Sequence, residues 1–225
     1  MDYFLKRYKE EVGSLLEPLG FKFKKGRFYI RVTKEKVYQL LELSRKWGGL
    51  RFVARPLFMG KLLGLLHDGT WIEKRWYNNQ KNEDVQNEII AEMVEIIKND
   101  VIPFFEKTET IQGAYQADAL ERDMDYHLTL YQAREGDCKP IIEFLEKLII
   151  KSKDVERENL VSERKLGRSE ESIQEYIKKS EELRSQAKER IDFFTNSSPE
   201  VIAEYFKANE DEALEELKVK WKFKL

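Results

Sequence analysis

The hydrophobic period of this chain changes from nearly four to two and back again. Each change limits what the segment can fold into. Phe4, Leu5, Tyr8, Val12, Leu15, Leu16 and Leu19 recur three, four or seven apart, which predicts an amphipathic helix over 3–19. Gly20 is its stop. Beyond it the residues alternate: Phe21 and Phe23 face one way, Lys22 and Lys24 the other. Lys25-Gly26-Arg27 turns the chain, and Phe28-Tyr29-Ile30-Arg31-Val32 alternates again. A second hairpin is predicted from 37–47 and 50–58, joined at Gly48-Gly49. Four antiparallel strands need one face covered, and the first helix can cover it.

Residues 59–83 are interrupted by Gly60, Gly64 and Gly69, and read as an irregular segment with a fifth strand at 71–77. From Asp84 the helical period returns. Val85, Ile89, Met93, Ile96 and Ile97 form one stripe, and Pro103 kinks or restarts the helix. A helix over 116–132, a turn at Glu135-Gly136-Asp137 and a helix over 140–150 make a helical hairpin. Residues 151–168 are polar enough for a charged helix or a linker. Ser169 caps a long helix with a narrow seam of Ile173, Tyr176, Ser180, Leu183, Ala187, Ile191 and Phe194, expected to face one partner helix. Ser198-Pro199 opens another helix, and a last one spans 211–221. The expectation is an α+β fold. A four- or five-stranded antiparallel sheet with flanking helices occupies 1–107, and an all-helical, acidic region occupies 108–225.

The stretch LLEPLGFKFKKGRFYIRV at 15–32 resembles the opening of a bacterial family catalogued as a domain of unknown function, number 4304. LRFVARPLF at 50–58 and VIPFFEK at 101–107 correspond to its later strand and helix, so the resemblance covers about residues 3–107. Where the family carries a short Gln/Lys/Ser signature, this chain has LLELSRKW with Glu42 and Ser44. The resemblance implies a fold and brings no activity with it.

Charge is segregated. The first 82 residues carry 18 Lys and Arg against 8 Asp and Glu, and the remaining 143 carry 22 against 34. The net charge of −2 hides this. A basic part joined to an acidic part suggests an electrostatic binding surface or an internal docking. The first hairpin is the candidate surface. Lys22, Lys24, Tyr29 and Arg31 are expected on one sheet face, with Lys25 and Arg27 at the turn. Cations interleaved with an aromatic suit phosphate contact and base stacking.

Catalytic and cofactor motifs fail on inspection. Gly60-Lys61 is followed by Leu62 and preceded by Arg55 where a phosphate loop needs its first glycine. Asp123, Asp125 and His127 put only two residues on one helical face, too few for a zinc site. His67-Asp68-Gly69 has no placeable nucleophile, and Asp118, Glu121 and Asp125 read as a solvated face. The single Cys138 cannot form an internal disulfide and fits a reducing compartment. The charged N-terminus lacks a signal-peptide core, so cytoplasm is the default. No catalytic residue, metal or cofactor is assigned. The leading expectation is a non-catalytic protein-binding module in a bacterial cytoplasm, of immunity or regulatory type. The alternative is a nucleic-acid-binding protein using the basic face. The partner and the oligomeric state stay open.

Overall fold

The computed structural model describes residues 3–44, 49–60, 70–72, 82–121 and 125–222. The fold is α+β, as expected. Packing divides the chain into two compact units: Met1–Arg122 with Lys207–Leu225, and Asp123–Phe206. The sequence boundary had been drawn at 107. Helix α4 (Ile111–Glu121) belongs to the first unit because it packs against the sheet.

In the first unit, α1 (Tyr3–Leu16) ends in a 3-10 turn closed by Gly20 at φ 88°. Glycine takes this left-handed position without steric cost. Strands β1 (Lys22–Lys24), β2 (Phe28–Val32), β3 (Val37–Ser44), β4 (Gly49–Pro56) and β5 (Thr70–Ile72) follow as an antiparallel meander in that spatial order. The strands expected at 37–47 and 71–77 are observed as β3 and β5 in their described parts. Residues 45–48 and 73–77 lie outside the described residues.

Both faces of this sheet are covered. On one face, Tyr29, Leu41, Leu43, Leu50 and Phe52 meet Phe4, Tyr8, Val12 and Leu16 of α1. The same core takes Ile90 and Met93 of α2 (Glu83–Ile96) and Phe105 of α3 (Ile102–Lys107). On the other face, Phe28, Ile30, Tyr38, Leu40 and Val53 meet Ala213, Leu214 and Leu217. These three come from α8 (Pro199–Trp221), one continuous helix where two were expected. The expectation of a single covered face is therefore corrected. All eight residues of β3 are buried because apolar residues occur at both parities in VYQLLELS. Each large apolar side chain taken fully out of water contributes about 1.5–3 kcal/mol.

Pro103 acts where expected. It cannot donate to a helical carbonyl, and the ladder before it widens into a π turn at Ile97–Val101 before α3 begins. A polar knot then ties the end of α3 to the sheet. Gln39 Nε2 donates to the Phe105 carbonyl at 2.8 Å, the Thr108 carbonyl at 3.1 Å and Thr108 Oγ1 at 3.0 Å. Its Oε1 accepts from Arg31 Nε, and Arg31 Nη1 donates to the Leu19 carbonyl at 2.8 Å. Carbonyls left over at two helix ends are thus satisfied inside the core.

The second unit is helical. It contains α5 (Asp125–Arg134), α6 (Lys139–Lys165), α7 (Glu170–Asn196) and the start of α8. The helix expected over 116–132 falls in α4 and α5, and residues 122–124 lie outside the described residues. The polar stretch 151–168 is mostly the second half of α6, not a linker. Ser169 caps α7 as expected, accepting from the Ser172 N–H at 3.3 Å.

Two expectations follow from this packing. The Tyr8 hydroxyl is buried without a hydrogen-bond partner among the described residues, whereas Tyr29 Oη donates to the Lys9 carbonyl at 3.1 Å. Tyr8→Phe is expected to leave stability unchanged or raise it by up to about 1 kcal/mol, and Tyr29→Phe to lower it by about 1 kcal/mol, read from urea midpoints. Gln39→Leu removes the buried amide that Arg31 Nε and the Phe105 and Thr108 carbonyls share. A loss of roughly 2–4 kcal/mol at unchanged m-value is expected.

Candidate functional site

The six residues expected to form the basic surface do not share one. Cross-strand register pairs Lys22 with Ile30, Phe23 with Tyr29 and Lys24 with Phe28. Directly paired residues project from the same face. Lys22 and Lys24 therefore lie on the face of Phe28 and Ile30, while Tyr29 and Arg31 lie on the opposite one. The cause is local. Lys25 and Gly26 are both left-handed, and Arg27 N–H closes the tight turn on the Lys24 carbonyl. Pairing resumes only at Phe28, so Arg27 is an extra residue in the second strand. One such residue reverses the facing of everything beyond it.

Tyr29 is fully buried in the core, and burial followed by the nearby Glu17 pushes its phenol above the ordinary value. Arg31 is mostly buried over the Phe21 ring. Its charge is disfavoured by burial and supported by Glu109, at 3.5 Å, and Glu106. Arg27 stacks 4.7 Å over Phe28 and reaches Glu42 at 3.6 Å. Glu42 in turn makes a buried ion pair with Arg51, its direct cross-strand partner. Lys24 donates to the Lys222 carbonyl at 3.1 Å, and Lys36 sits 3.7 Å from Glu210 of α8. Lys22 and Lys25 are exposed at the edge. Much of the basic charge thus serves internal contacts, two of them to the C-terminal segment that covers this sheet face.

The second unit offers a more open surface. Helices α6 and α7, of 27 residues each, form a hairpin turned at Gly167, whose φ is 69°. Ile173, Ser180, Ala187 and Phe194 recur at a stride of seven. Three of them are buried and Ser180 is partly so. The ion pair between Arg184 and Glu156, at 2.6 Å and with side chains 13% and 18% exposed, fixes the two helices in register. Asn159 donates to Tyr176 Oη at 2.8 Å further along.

Leu183, expected in this seam, lies off the stride and is 65% exposed. With Leu148, 44% exposed, it flanks a groove of about 450 Å³ whose most buried residues are Leu145 and Ala187. Phe144, Ile149, Ser152, Arg184, Gln186 and Arg190 complete the lining. The small Ala187, set between larger residues, leaves the hollow. Sequence reasoning missed it, although two signals were present. Leu183 breaks the seven-residue stride, and α6 carries Phe144 and Leu148 beyond what one seam requires.

Neighbouring hollows are smaller. One of about 310 Å³ lies among Gln186, Glu189, Arg190, Phe193, Phe194 and Tyr205. Another of about 320 Å³ adjoins Cys138, whose thiol is pushed up by burial and by Asp137, away from the reactive thiolate. Among the described residues no group of three metal-ligating side chains forms, and no helix is long and apolar enough to cross a membrane. His67-Asp68-Gly69, Asp123 and the side chains of Asp118, Glu121, Asp125 and His127 lie outside what is described. Comparison of the chain with protein-family models, with curated proteins and with solved structures found no match.

Proposed function

We propose that this chain is a non-catalytic protein-binding module and that it meets its partner through the groove between α6 and α7. The observation that carries this reading is the exposure of Leu148 and Leu183 on either side of a concave apolar surface. Isolated surface leucines are ordinary, but a pair lining one groove is the arrangement that interface anchors take. Burying both on a partner contributes a few kcal/mol, enough to place them among the residues that dominate an interface. Segregated charge elsewhere on the chain steers encounter more than it adds affinity. A module of this kind serves by blocking or regulating the protein it holds, which is the immunity-type or regulatory role.

The test is capture from an extract of the source cell with the tagged chain, with and without nuclease, across a salt series. A discrete protein is expected that survives nuclease and is lost when Leu148→Asp and Leu183→Asp are combined. Leu183 is largely solvated in the free chain and Leu148 is nearly half so, and the double variant is expected to keep its melting temperature within a few degrees. Retention that disappears with nuclease, or that ignores the two substitutions, overturns the reading.

A further inference from the structure

Resting on that reading, we infer that the groove takes an amphipathic α-helix of a partner protein whose apolar face is bordered by carboxylates. Shape points to a helix. The α6 lining runs from Phe144 to Ser152, about 12 Å at a helical rise, or just over two turns. Its partner helix α7 contributes Leu183, Ala187 and Arg190 at the matching spacing. Two long helices side by side leave a furrow into which the ridge of a third can pack, with anchors at i, i+3 or i+4, and i+7. Ala187 at the floor lets such a ridge approach closely. An extended strand would leave its own backbone groups unpaired here, because both walls are helices whose hydrogen bonds are already made.

Charge selects which helix. Among the described residues that line the groove none is acidic, and its two charges are Arg184 and Arg190. Arg184 is committed to Glu156. Arg190 is exposed. Helical periodicity at 100° per residue puts Lys151 at the border beside Leu148, and Lys179 one turn before Leu183 on the same side. Lys179 is exposed and shared with Glu175 at 2.7 Å. Glu181, Glu182 and Glu189 of α7 are rotated about 100° or more away from Leu183, and Glu189 lines the adjoining hollow with Gln186 and Arg190. In a chain with net charge −2, the groove's own lining thus carries two cations and no acid. An acidic partner helix gains ion pairs along its borders that a basic one forfeits.

The experiment titrates the full chain with two labelled 18-residue amphipathic peptides that share one leucine face. Their flanks are all glutamate in one peptide and all lysine in the other. Binding is followed by fluorescence anisotropy. The glutamate peptide is expected to bind roughly three- to tenfold more tightly at low salt, with the gap closing as salt rises. The net charge of −2 opposes this preference, and reversing charge at the groove separates its contribution from that of the basic first 82 residues. Lys151→Glu with Arg190→Glu is expected to reverse the order, and Leu148→Asp with Leu183→Asp to abolish both complexes.

Equal binding of the two peptides, or a preference that survives charge reversal, overturns the acidic-helix inference. If the leucine substitutions still abolish binding in that case, the groove remains the docking surface. Binding indifferent to the leucines overturns the groove reading itself. A concentration-dependent dimer dissolved by Leu183→Asp would place a second copy in the groove and overturn the inference.

Discussion

Strand β3 buries all eight of its residues, and a strand so placed requires an apolar layer on each side. The first unit is arranged around that requirement. Tyr29, Leu41 and Phe52 turn one face toward α1, α2 and α3, while Ile30, Leu40 and Val53 turn the other toward Ala213, Leu214 and Leu217 of α8. The covering helices come from opposite ends of the sequence. The last described helix is therefore as much a part of the sheet's core as the first, and without it one apolar face of the meander would be left in water.

Polar groups within this core serve geometry. Gln39 occupies a strand position that points into the helix layer, and it spends its amide on the Phe105 and Thr108 carbonyls. Arg31 works beside it, bonded to Gln39 and to the Leu19 carbonyl. A neutral amide and a guanidinium thereby satisfy helix ends that would otherwise be buried unpaired. The same economy applies to Glu42 and Arg51, which pair with each other in a place where either charge alone would be costly. Arg31, expected on a binding surface, is instead part of this scaffold.

The second unit follows a different logic. Its two long helices share a narrow seam at a stride of seven, with the Arg184–Glu156 pair setting their register. A seam that narrow leaves the flanks of both helices uncovered. On one flank Phe144, Leu148 and Leu183 supply more apolar surface than the hairpin itself uses. That surplus distinguishes the groove from an ordinary solvated face and ties the functional proposal to packing.

The sequence by itself determined the element types and most of their limits. The period of three to four at Phe4–Leu16, the alternation after Gly20, the proline at 103 and the caps at Ser169 and Ser198-Pro199 act through neighbours a few residues apart, and such local rules need no knowledge of the rest of the chain. Facing and covering were decided only by tertiary structure. One extra residue, Arg27, changed the side to which Tyr29 and Arg31 point, because strand facing alternates with every residue and depends on where pairing resumes. The second cover of the sheet came from residues 213–217, nearly two hundred positions from the strand they bury at Phe28. The groove arose from Ala187 lying beside Leu148 and Leu183, a juxtaposition that exists only once α6 and α7 are side by side. Local periodicity fixes what each segment is, but which surface it keeps exposed depends on contacts between residues far apart in the chain.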